Sequence, residues 1–124
     1  MARIIAISYD DVLLRTRCVL LAQAGHQVRS AVGFQAALEE CQGAAEVVVI
    51  GHSIPARDKI EIINRFRLAN PKGIVVALTR AGEDRLKEVD AYISPGDPAD
   101  LLGAINFLLG EDKKRVRWNV WPIR

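Results

Sequence analysis

Short apolar runs alternate with longer amphipathic ones along most of the chain. Five runs read as strands: Arg3–Ser8 (RIIAIS), Gln27–Ala31 (QVRSA), Glu46–Ile50 (EVVVI), Gly73–Leu78 (GIVVAL) and Ala91–Ser94 (AYIS). RIIAIS, EVVVI and GIVVAL are nearly continuous Val, Ile, Leu and Ala, the pattern of strands covered on both faces of a parallel sheet. QVRSA alternates instead, which predicts an edge strand with one wet face.

The stretches between them carry helix signals. Asp11–Ala24 is apolar at Leu13, Leu14, Leu20, Leu21 and Ala24, and Gly25 supplies a stop. Gly33–Cys41 predicts a shorter helix. A third is expected from Asp58, with Glu61 as capping-box partner and Ile60, Ile63 and Phe66 on one side, ending at Asn70-Pro71. A fourth starts at Asp97-Pro98-Ala99-Asp100, with Asp97 as N-cap, Pro98 in the first helical position and Asp100 in the positive first turn, and runs to Leu109.

Strands alternating with helices predict an α/β fold: a doubly wound, five-stranded parallel sheet in the order 2-1-3-4-5 inside a three-layer sandwich. In such sheets the functional crevice lies beyond the carboxyl ends of the strands. The segments that matter are therefore Ser8–Asp11, Gly51–Pro55, Thr79–Gly82 and Ser94–Gly96.

Composition narrows the function. Seventeen basic against fifteen acidic residues leave +2 in 124 residues, which disfavours nucleic acid as a general partner. Residues 111–124 hold five basic and two acidic residues (+3), so residues 1–110 hold twelve against thirteen (−1). Two units follow: a body over 1–110 and a basic, Trp-containing tail over 111–124. No run is long enough to span a bilayer, and the N-terminal apolar run is too short for an export signal, so no membrane association and a cytoplasmic location are expected. Cys18 and Cys41 then read as reduced thiols packed in helices, and no metal-ligand spacing is present.

Four pieces in order carry a resemblance: an acidic pair after the first strand, "EVVVIGHSIP" at the third, "VVALTR" at the fourth and "AYISPGDPADLL" at the fifth. Over roughly residues 2–110 the chain resembles the response-regulator receiver domains of two-component signalling, CheY-like modules with a flavodoxin-like fold. The resemblance implies an acidic pair holding Mg²⁺, an Asp nucleophile ending strand three, a Thr or Ser ending strand four, and a Lys before a Pro after strand five. Hard oxygen ligands suit the metal, and a cation opposite the phosphoryl group neutralises developing charge.

This sequence departs from that pattern where the chemistry is done. Gly51 stands at the nucleophile position and Ser94 at the Lys position, before Pro95. The acidic pair falls on Tyr9 and Asp10 in one register and on Ser8 and Tyr9 in another. Thr79 and Pro95 remain. The vestigial receiver site is therefore Tyr9, Asp10, Asp11, Gly51, Thr79, Ser94 and Pro95, with no catalytic residue, metal or cofactor. Asp10 and Asp11 equally suit the start of a helix, as N-cap and first-turn acid. The segment from Thr79 to Ala91 is about two helical turns short of the family's length, which predicts a stub there.

Other residues admit more than one reading. His52 is a loop histidine or a substitute nucleophile, and Thr79, Ser94 and Ser53 could line a small anion pocket. His26 is expected at the surface of the turn after the first helix. Tyr92 lies one place off the family's strand-five aromatic and should face the other way. In the tail, Val116, Trp118 and Val120 alternate with Arg117, Asn119 and Trp121, a strand-like pattern. Arg115, Arg117, Trp118 and Trp121 are the candidate partner contacts, through docking on the body or a homodimer, with single-stranded nucleic acid and disorder as alternatives.

The reading is a non-enzymatic pseudo-receiver that binds a protein partner. A flavodoxin-like domain taking a small anionic ligand and a nucleic-acid adaptor using the tail are the alternatives. No Gly-rich phosphate loop supports the former.

Overall fold

A computed structural model describes residues 2–79, 86–94 and 98–110. The element order is β1 (Arg3–Ser8), α1 (Asp11–Gln23), β2 (Gln27–Val32), α2 (Phe34–Glu40), β3 (Val47–Ile50), α3 (Ala56–Ala69), β4 (Ile74–Leu78), β5 (Ala91–Ile93) and α4 (Pro98–Gly110). The strands pair in parallel in the order β2-β1-β3-β4-β5, as the sequence predicts. Pro95, the Asp97 cap, the segment 80–85 expected to hold the stub, and the tail with Arg115, Arg117, Trp118 and Trp121 lie outside the described residues.

The period-2 alternation of each central strand feeds two cores. Ile4, Val47, Val49, Ile74, Val76 and Leu78 meet Leu21 of α1 and Leu101, Ile105 and Leu108 of α4. Ile5, Ile7, Val48, Ile50 and Val75 meet Ala37 and Leu38 of α2 and Ile62, Ile63 and Phe66 of α3. Burial on both faces is why β1, β3 and β4 read as unbroken apolar runs. β2, with only Ala31 buried, is the polar one of the two edge strands.

Some expected details shift. Helix α3 begins at Ala56 behind Pro55, with no side-chain cap, so Asp58 and Glu61 form no capping box. Its buried stripe is Lys59, Ile62, Ile63 and Phe66, and Ile60 is exposed. The spacing i, i+3, i+4, i+7 returns to one face, which 60, 63 and 66 do not. In α1 the buried residues are Leu14, Arg17 and Leu21, while Leu13 is exposed. His26 is buried, not at the surface. Its Nδ1 accepts a bond from the Ala2 backbone N–H at 3.1 Å, because parallel pairing of Arg3 with Gln27 brings the two preceding residues together.

The lower end of the sheet is tied by polar contacts. Arg3 pairs with Glu46 at 2.8 Å, holding the Glu46 carboxyl below its ordinary range. Arg67 pairs with Asp90 at 2.9 Å, and Asp90 also accepts from the Val75 N–H at 2.8 Å. Gly73 leads into β4 against the ring of Phe66, where a Cβ would lie 2.4 Å from the ring.

Candidate functional site

The carboxyl ends of β1, β3, β4 and β5 converge because the register pairs Ile7 with Ile50, Ile50 with Ala77 and Leu78 with Ile93. Gly51 follows β3 directly, is fully buried, and donates its N–H to Ile7 O at 2.9 Å. Thr79 follows β4, buried, its N–H on Ile93 O at 2.9 Å. Ser94 follows β5 and is exposed. Gly51, Thr79 and Ser94 therefore close three adjacent strands.

The segment after β1 is engaged in local bonds. Asp10 is the N-cap of α1, its carboxylate accepting from the N–H groups of Val12 at 3.0 Å and Leu13 at 3.3 Å. Asp11 sits in the first turn and pairs with Arg15 at 3.2 Å. Both acids thus do what a helix start asks of them. Ser8, buried, accepts on its hydroxyl from the Asp10 N–H at 3.0 Å. The Tyr9 phenol donates to Asp58 of α3 at 2.8 Å, linking this segment to the start of the next helix in space. Burial, and then the bond to Asp58, push the phenol up to about 12.

Arg17 was not among the candidates from sequence. It is 8% exposed, and its Nη1 has no hydrogen-bond partner. A Cβ on Gly51 would lie 3.1 Å from Ser8 Oγ, 3.2 Å from Ile7 O and 3.3 Å from Arg17 Nη1. The guanidinium therefore reaches from α1 to the end of β3. Desolvation lowers its pKa from the ordinary value, and the charge of Asp10 opposes that fall. A legible signal existed: Leu14, Arg17 and Leu21 share the i, i+3, i+7 stripe, so a cation lies on an apolar face.

The other candidates are placed as follows. His52 is half-buried in the turn after Gly51, and Ser53 is exposed there. Tyr92 lies between Ala91 and Ile93, which pack on the α1–α4 side, and its hydroxyl is hydrogen-bonded to the N–H and, at 3.1 Å, the carbonyl of Leu86. Cys18 and Cys41 are free thiols; burial pushes Cys41 up to about 12, with Glu40 adding to the shift.

These residues do not fit a magnesium ion. Mg²⁺ needs carboxylate and other oxygen ligands in near-octahedral array. Here Gly51 has no donor side chain, Asp10 caps its own helix, Tyr9 is bonded to Asp58, and a guanidinium stands beside Gly51. Among the described residues no group of three or more His, Cys, Asp or Glu side chains could hold a metal. No described helix is long and apolar enough to cross a membrane.

No protein-family model matches the sequence, and no curated protein matches it significantly. Solved structures do match. A CheY-like response regulator receiver domain protein from Methanospirillum hungatei JF-1 superposes with a TM-score of 0.77 at 22% identity, over 94% of this chain and 99% of that one. The BeF3-activated receiver domain of DrrB gives 0.74 at 24% identity, over 89% and 98%. The chemotaxis protein CheY4 of Vibrio cholerae gives 0.72 at 18% identity, over 86% and 98%. With the strand order and the convergent strand ends, these likenesses show that the chain has the CheY-like receiver fold of two-component response regulators.

Proposed function

We propose that this chain is a non-enzymatic pseudo-receiver: a signalling module of the response-regulator type that acts by binding a protein partner and is not phosphorylated on aspartate. The observation that carries the reading is Gly51 at the end of β3, closed in by Ser8, Ile7 and Arg17. A residue without a side chain accepts no phosphoryl group, and a carboxylate there would begin within reach of a fixed cation. Ser94 in place of the Lys adds to this, since its hydroxyl brings no positive charge to neutralise phosphoryl oxygens.

With Gly51 at the acceptor position and Tyr9, Asp10, Asp11, Thr79, Ser94 and Pro95 read as vestiges of the site, the working part of the molecule in this reading is its surface. On sequence grounds the body is residues 1–110, and the tail 111–124 supplies partner contacts through Arg115, Arg117, Trp118 and Trp121, in a homodimer or with another signalling protein of the cytoplasm. The test is capture of the tagged chain from its own cells, with and without beryllofluoride and Mg²⁺. A stoichiometric protein partner, held equally in both conditions and lost on deleting 111–124, is the expected result. A partner held only with beryllofluoride and Mg²⁺ would refute the reading.

A further inference from the structure

The strand-end crevice contains a positive charge that belongs to the chain itself. Arg17 reaches it from the buried stripe of α1, with Leu14 and Leu21 on either side along the helix. The residue is 8% exposed, and its buried Nη1 has no hydrogen-bond partner. Buried donors are nearly always paired in folded proteins, and a charged one left unpaired is costly. An orphaned guanidinium N–H beside a strand end is thus a donor without its acceptor, and a charged donor bonds most strongly to an anionic oxygen.

We infer that Arg17 is a built-in cation at the place where the receiver resemblance implies Mg²⁺, so that a carboxylate or similar oxyanion brought to this end of β3 meets its counter-charge without metal. The space beside Gly51 is narrow. Even one carbon on residue 51 would approach Ser8 Oγ, Ile7 O and Arg17 Nη1 within 3.1 to 3.3 Å. Two of these are ends of side chains that yield by a few tenths of an ångström, while Ile7 O belongs to the sheet. A divalent ion at the same spot would meet like charge, and the carboxylate of Asp10, whose charge acts on Arg17, already accepts two backbone N–H groups. The inference goes beyond the signalling reading, because it concerns what the crevice binds, whichever partner the surface meets.

A tethered carboxylate is the direct probe. In Gly51→Asp the new carboxyl starts beside Arg17 Nη1, and Gly51→Asn imposes the same steric demand without charge. With Arg17 present, carbon-detected NMR should find the new carboxyl titrating about 1–3 pH units below the ordinary Asp range. In Gly51→Asp combined with Arg17→Gln it should return to that range or above. Mg²⁺ binding, read by calorimetry, should be at least about tenfold tighter in the combined variant than in Gly51→Asp alone, because a repelling charge is gone. A carboxyl that titrates alike with and without Arg17, or Mg²⁺ affinity unaffected by Arg17, overturns the inference.

Should Gly51→Asp fail to fold, Arg17→Glu and Arg17→Gln serve instead. The melting temperature of Arg17→Glu should rise with Mg²⁺, since an acid then replaces the cation beside the Asp10 end of the crevice, and that of Arg17→Gln should not. An Arg17→Glu protein that ignores Mg²⁺ overturns the inference equally. A partner that fails to appear in capture experiments bears on the signalling reading and leaves these titrations untouched.

Discussion

Replacing Arg17 by Met should make the protein more stable. The side chain is 8% exposed and its Nη1 is unpartnered. An unsatisfied buried donor costs roughly 1–3 kcal/mol, and the charge adds to that. Met keeps an unbranched stem of similar length against Leu14 and Leu21, so little packing is lost. What disappears is the attraction of Asp10, which is exposed and in water-like dielectric contributes about 1 kcal/mol or less. The balance is a gain of about 1–2 kcal/mol, which for a domain of this size raises the melting temperature by about 3–6 °C per kcal/mol. Urea unfolding with an unchanged slope is the assay, with Arg17→Ala as comparison, since Ala removes the stem as well and leaves a void. Arg17→Met at or below wild-type stability would mean that the guanidinium has partners as good as water, and the argument that it is held at a cost would fail.

Asp10→Ala should lose about 0.5–2 kcal/mol, Asp10→Ser should keep most of it, and Mg²⁺ should change neither melting temperature, because the carboxylate acts as a helix cap. Tyr9→Phe should lose about 1–2 kcal/mol with the bond to Asp58. The folded phenol is raised to about 12 against about 10 unfolded, so its contribution is complete below about pH 10 and lost as pH rises towards 12. Denaturant midpoints measured across that window should fall more steeply for wild type than for Tyr9→Phe. Gly73→Ala would drive a Cβ to 2.4 Å from the buried Phe66 ring, and thermal unfolding should report a loss of about 1–3 kcal/mol or more.

The sheet was legible because doubly covered strands leave unbroken apolar runs, and Val47–Ile50 and Ile74–Leu78 are such runs. The start of α1 was legible because a cap is local chemistry: Asp10 bonds to residues two and three places on. What escaped was non-local. His26 is buried because residue 2 lies beside it across 24 residues, a consequence of strand pairing that no window on the sequence displays. Asp58 turned from a cap into the acceptor for Tyr9, 49 residues away. Arg17 was missed for a different reason: hydrophobic periodicity counts apolar positions, and a cation on the buried stripe registers only as a gap. The departures at Gly51 and Ser94 rest on the resemblance to receivers, and what fills the space beside Gly51 required the helix to be packed.

The central claim is that a receiver fold here operates without phosphoryl chemistry at its strand ends. Intact-mass spectrometry of the protein after incubation with acetyl phosphate and Mg²⁺ tests it most directly. The account predicts an unchanged mass. A stoichiometric gain of one phosphoryl group, on His52 or any residue of the crevice, would contradict it.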